Sequence, residues 1–136
     1  MNPTFEGIRL IIETRLSTWD GVPVEYDGAP KSQDLIAAID AKQSWVRCSI
    51  LHGESRTVAV GQAPCVRRTG VLSFQVFTAA NNGSRPAALI ADSLAHHFEH
   101  YQSGQFETQS ASVQRAPHKN DHDWYQYTVM IPFRMG

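Results

Sequence analysis

His96-His97-Phe98-Glu99-His100 is the run in this chain whose residue types and spacing could make and break bonds. On a helix, His96 and His100 stand four apart on one face and could hold zinc while Glu99 activates a bound water for hydrolysis. That chemistry needs a shaped, dry cavity and a third protein ligand, and no downstream helical pattern offers an acidic one. A solvated helix face accounts for the same residues without a metal. His118, Asp121, His122 and Asp123 also resemble a ligand set, but Lys119 and Asn120 lie among them in a stretch that reads as a hairpin tip. No nucleophile elbow and no phosphate-binding glycine pattern occurs. Asn81-Asn82-Gly83 precedes a helix whose N-terminus could hold an anion; it reads as a turn with Ser84 as the cap. The sequence therefore predicts no catalytic residue, no metal and no cofactor. A small zinc-dependent hydrolase using His96, Glu99 and His100 is the enzymatic alternative.

The elements around that run form a small α+β pattern. Phe5, Ile8, Ile11, Ile12 and Leu16 recur at helical spacing and predict a helix over Thr4–Leu16, capped by Asn2 or Thr4. Val22, Val24 and Tyr26 alternate as a short strand, which Pro23 places near an edge. Residues 32–42 predict a short helix capped by Ser32 or Asp34. Ser44–His52 is a strand with Val46, Cys48 and Ile50 on one face. Residues 53–65 read as an extended arm or long loop. The strand over 66–78, with Leu72, Phe74 and Val76 on one face, runs back antiparallel, so 44–78 forms a long hairpin. A helix over about 84–101 carries Ala87, Ile90, Ala91, Leu94, Phe98 and Tyr101 in one stripe, with Asp92, His96, Glu99 and His100 opposite. Residues 102–106 read as a turn, 107–116 as a polar edge strand, 117–123 as a loop tip and 124–133 as a closing strand. The expectation is a single domain over 1–136, a mixed and mostly antiparallel sheet with two main helices packed on it and a long hairpin arm.

Composition narrows the function class. A chain of 136 residues with 42% hydrophobic content can bury a core without staples. A net charge of −1 gives no global attraction to nucleic acid or to anionic lipid. Cys48 and Cys65 make neither a disulfide framework nor a zinc knuckle. No apolar run reaches the roughly 18–20 residues of a membrane span. The start, MNPTFEGIRL, lacks a charged segment followed by an apolar one, so a soluble protein made in a reducing cytoplasm is expected.

Arg56, Arg67 and Arg68, with Arg47 near, concentrate positive charge on the hairpin. The aromatic interleaving of RNA-binding surfaces is missing, so a protein interface is expected rather than specific nucleic-acid binding. Trp45 and Trp124 begin strands and fit either core caps or interface anchors.

Set in order, these segments resemble the tail terminator (tail completion) proteins of long-tailed bacteriophages. Trp45-Val46-Arg47-Cys48-Ser49-Ile50 is similar to that family's W-V-R-x-S-I strand. Arg68 to Phe77 resembles its R-x-G-x-L-x-V-x-V-F strand. Ala88 to Leu94 with Phe98 resembles its A-x-x-I-A-D-x-L-x-x-x-F helix. Trp124 to Phe133 resembles its W-x-x-x-x-V-x-I-P-F strand. The resemblance implies a structural, non-enzymatic virion protein at the head-tail junction, made in the host cytoplasm. It implies a hexameric ring that caps the head-proximal end of the tail tube, stops its polymerisation and offers the head-joining surface. The implied partners are further copies of itself, the major tail tube protein and a head-tail connector or head completion protein. Another head-tail completion or minor tail protein is the alternative within the same class. Arg56, Arg67 and Arg68 are the residues expected to contact the tube or a neighbouring subunit.

Overall fold

Ile8, Ile12 and Leu16 recur every four residues, and α1 (Phe5–Ser17) buries all three. In the computed structural model, which describes residues 2–62, 64–115 and 124–136, the Thr4 hydroxyl starts this helix by accepting the Gly7 amide at 2.9 Å. Asn2 does something else. Its side chain bonds the Pro64 carbonyl and the Val66 amide, each at 3.0 Å, and ties the start of the chain to the arm.

The chain continues through β1 (Val24–Glu25), α2 (Gln33–Asp40), β2 (Trp45–His52), β3 (Arg56–Ala59) and β4 (Cys65–Ala79). It then forms α3 (Arg85–Phe98), β5 (Gln102–Ser103), β6 (Phe106–Thr108), β7 (Ser112–Arg115) and β8 (Trp124–Met135). The sheet order is β1-β2-β4-β8-β6-β5, with β3 beside β4 and β7 beside β8. β1 lies parallel to β2, joined by α2 as the crossover, and the other pairings are antiparallel. The fold is α+β with a mixed, mostly antiparallel sheet, as expected. Ser32 caps α2 by accepting the Leu35 amide. The hairpin over 44–78 is present: β2 and β4 pair from Trp45↔Phe77 to His52↔Gly70, and β3 folds onto the outer end of β4 as the arm.

Three elements differ from expectation. Residues 102–106 belong to a tight β5–β6 hairpin around Gly104, whose φ of +60° suits a residue without a side chain. The polar strand expected over 107–116 is split into β6 and β7. The break answers a problem posed by Pro132, which sits inside β8 with β4 on one side. Pro has no N–H for a ladder. Its carbonyl accepts the Gln109 amide at 2.9 Å, so its amide position faces the same side, where the chain has left the ladder. Lastly, α3 stops at Phe98 and does not run on to Tyr101. The buried Thr108 hydroxyl bonds the Phe98 carbonyl and accepts the Tyr101 amide, which draws the chain out of the helix. The expected loop tip over 117–123 lies outside the described residues.

One face of the sheet carries the main core. Val46, Cys48, Leu72, Phe74, Val76, Val129, Ile131 and Phe133 meet α1 and α3, which contribute Ala87, Ala91, Leu94 and Phe98 from the second helix. Each large apolar side chain buried there contributes about 1.5–3 kcal/mol. On the opposite face, α2 places Leu35 over Trp45 and Phe77 at one end.

Candidate functional site

Beyond the end that α2 covers, the second face carries no helix among the described residues, and its centre is buried at Ser73. Leu51, Val71, Met130 and Pro132 share this face by register, with Ser49, Thr69, Gln75 and Thr128 among them. Leu51 is exposed, while Val71, Met130 and Pro132 are half-buried.

The arm borders this face. Every residue of β3 is exposed, and Val58 and Val60 are 48% and 91% exposed. Arg56 and Arg67 stand directly opposite each other across the β3–β4 ladder. Like charges so placed destabilise a pair of strands by a few tenths of a kcal/mol, up to about 1 kcal/mol. The two line a concavity of about 580 Å³ with Glu54, Thr69, Val71 and Arg134. Arg134 is answered by Glu107 across the β6–β8 ladder. Arg67 also donates to the Gly136 carbonyl at 2.9 Å.

Arg68, adjacent to Arg67, points to the opposite face, as alternation along a strand requires. Its guanidinium donates to the Pro3 carbonyl at 2.8 Å and to the Ser55 hydroxyl at 2.7 Å, and lies 4.3 Å from the centre of the Phe5 ring. The structure thus brings Arg56 and Arg67 together and gives Arg68 a local task of holding the arm to the start of α1. Arg47 stands apart from all three, bonded to Glu25 at 2.8 Å and to Gln75 at 3.3 Å.

Trp45 is a core residue of the protomer. It is 5% exposed, stacks on Phe77 with centroids 4.1 Å apart and meets Trp124 edge-on. Its indole N–H is buried with no acceptor among the described residues. Trp124 is half-buried at the margin of the same cluster.

The histidine run does not form a ligand face. His96 lies on α3, Glu99 has extended backbone as the C-cap, and His100 has a left-handed φ of +52°. The i, i+4 geometry that zinc binding requires is therefore absent. Glu99 accepts the Ala111 amide at 2.7 Å, and His100 Nε2 lies 3.2 Å from the Ser110 hydroxyl. Among the described residues no cluster of three or more His, Cys, Asp or Glu side chains is placed to hold a metal. His118, Asp121, His122 and Asp123 lie outside those residues.

A family model described as phage tail terminator protein matches residues 7–133. The chain belongs to this family. As a tail terminator family member it is a structural phage tail protein and a component of the virion. No curated protein matches it. One solved structure aligns with a TM-score of 0.69 at 19% identity, covering 98% of this chain and 96% of the other. That likeness concerns the fold. Among the described residues, no helix of this tail terminator is long and apolar enough to cross a membrane.

Sequence reasoning missed one further surface, a trough beside α1 that contains Glu6, Arg9, Glu13 and Asp27. Glu6, Arg9 and Glu13 at i, i+3 and i+4 spacing were the available signal. Arg9 binds both carboxylates, and the Arg9 guanidinium holds the Glu6 carboxyl below its ordinary pKa.

Proposed function

We propose that copies of this chain form a ring on the head-proximal end of the tail tube, stop tube growth there and present the surface that joins the head. Family membership over residues 7–133 is the observation that carries this reading. Ending a polymer requires no bond-making. It requires one ring face that fits the last tube ring and another that is not a copy of it.

Two features of the fold support such an assembly. β1 and β3 present strand edges that have no partner strand among the described residues, and such edges recruit neighbouring chains. The second sheet face and the arm are chemically different from the α1 side, which favours head-to-tail contacts. Contacts of that kind close into a ring when the rotation per subunit is right, and six copies is the number proposed. The proposed partners are other copies, the major tail tube protein and a head-tail connector or head completion protein. No catalytic step belongs to this role.

Gold-labelled antibody against the chain, viewed on intact particles by electron microscopy, tests the position. The expected label sits between head and tail tube. Label at the tail tip or within the capsid would overturn the proposal and point to another tail or head component.

A further inference from the structure

Two surfaces outside the core carry opposite charge. The first is the arm. On the side facing away from α1 it holds Arg56 and Arg67 against Glu54, an excess of one positive charge. The second is the trough where α1 meets the β1–β2 edge. Glu6, Glu13 and Asp27 line it against Arg9, an excess of two negative charges at neutral pH. The trough continues along α1 through Arg9 and Glu13 to Leu10 and Tyr26. Each surface also leaves apolar side chains partly exposed. Val58 and Val60 lie on the arm; Phe5 and Leu10, 49% and 55% exposed, border the trough.

Resting on the ring reading above, we infer that the arm of one copy docks into the α1 trough of the next, with Arg56 and Arg67 meeting Glu6 and Glu13. The occupant is a second copy because the arm cannot serve its own trough. Arg68 faces α1 within the subunit, so Arg56 and Arg67 face the other way. The arm is also held in place, by the β3–β4 ladder and by Asn2 at its base. Exposed ion pairs alone contribute little. In this contact the valines, Phe5 and Leu10 supply the apolar burial and the charges set register and partner choice. Carboxylates from a neighbour also relieve the repulsion between Arg56 and Arg67. The two surfaces differ from each other, so the contact is heterologous and repeats from copy to copy.

Charge reversal on both sides tests this. Purified full-length chains are compared by native mass spectrometry and sedimentation: wild type, Arg56→Glu with Arg67→Glu, Glu6→Arg with Glu13→Arg, and all four changes together. The inference expects a wild-type oligomer, at least tenfold weaker association in each double variant, and restored association in the quadruple variant. Circular dichroism checks folding; if a reversal unfolds the chain, Arg56→Gln with Arg67→Gln replaces it, again with at least tenfold weaker association expected. Undiminished association in the double variants, or no recovery in the quadruple, overturns the inference. A wild type that stays monomeric at every concentration overturns it too. Tail length in particles lacking the chain tests the capping proposal separately, so failure of one does not entail failure of the other.

Discussion

The Glu99 carboxylate accepts the Ala111 amide at 2.7 Å, linking the end of α3 to the chain just before β7. This contact braces the end of the helix against that segment. Glu99→Ala should destabilise the fold by about 1–3 kcal/mol, since the bond involves a charged acceptor. Glu99→Gln, which keeps an acceptor oxygen, should cost less than half as much. Urea denaturation of the two variants measures the difference; no loss of stability in Glu99→Ala would mean that the contact contributes nothing.

Arg67 and Arg68 should behave differently despite being neighbours. Arg68 holds Pro3, Ser55 and the Phe5 ring. Arg68→Ala should therefore lower stability by about 1–2 kcal/mol through lost hydrogen bonds and cation–π contact. Arg67→Ala should cost less than about 1 kcal/mol, because it gives up one exposed bond to Gly136. Thermal melts of the two single variants make the comparison, and a larger loss for Arg67→Ala would contradict it.

Much of this architecture was legible in the sequence because the signal was periodic. Alternation over Leu72, Phe74 and Val76 and helical spacing over Ile8, Ile12 and Leu16 report which face is buried, and burial followed them. Ser32 and Thr4 acted as the caps their chemistry suggests. What periodicity could not show were features set by contacts between distant segments. Thr108 ends α3 from ten residues away, and Gln109 leaves its ladder where Pro132 has no donor. Three arginines close in sequence read as one patch, yet adjacent strand positions face opposite ways. The α1 trough needed Asp27 brought beside the helix, which no local pattern records.

Gly70 illustrates a constraint that looks like ordinary strand sequence. A Cβ there would lie 2.5 Å from the Leu51 carbonyl oxygen and 2.5 Å from the Phe133 ring. The carbonyl belongs to a ladder strand and cannot swing aside. Gly70→Ala should therefore destabilise the protein by about 1–3 kcal/mol, the range for overpacking, in contrast to the usual small effect of Ala on an exposed site. Chemical denaturation reads the change; a neutral result would show that β2 and β4 can separate freely.

The two cysteines should differ in reactivity. Cys65 is exposed, whereas Cys48 is buried and its thiol is pushed up to about 12, chiefly by burial and then by the Asp27 and Glu13 carboxylates. A thiol-specific reagent at pH 8 should modify one thiol per native chain and two after denaturation. The raised folded-state value also fixes a pH dependence. Between about pH 9 and 12 the unfolded chain releases the Cys48 proton and the folded chain retains it. Stability should fall as pH rises through that window, at up to about 1.4 kcal/mol per pH unit. Cys48→Val should lack that component. Two thiols labelled equally fast in the native state would refute the burial argument.

The proposed role of this tail terminator is to set where the tube stops. Its most direct measurement is the distribution of tail lengths in phage particles made without the chain. Without the cap, tubes should overgrow with a broad length distribution and fail to join heads, and supplying the chain in trans should restore normal length. Tails of normal, uniform length that still attach to heads would contradict it.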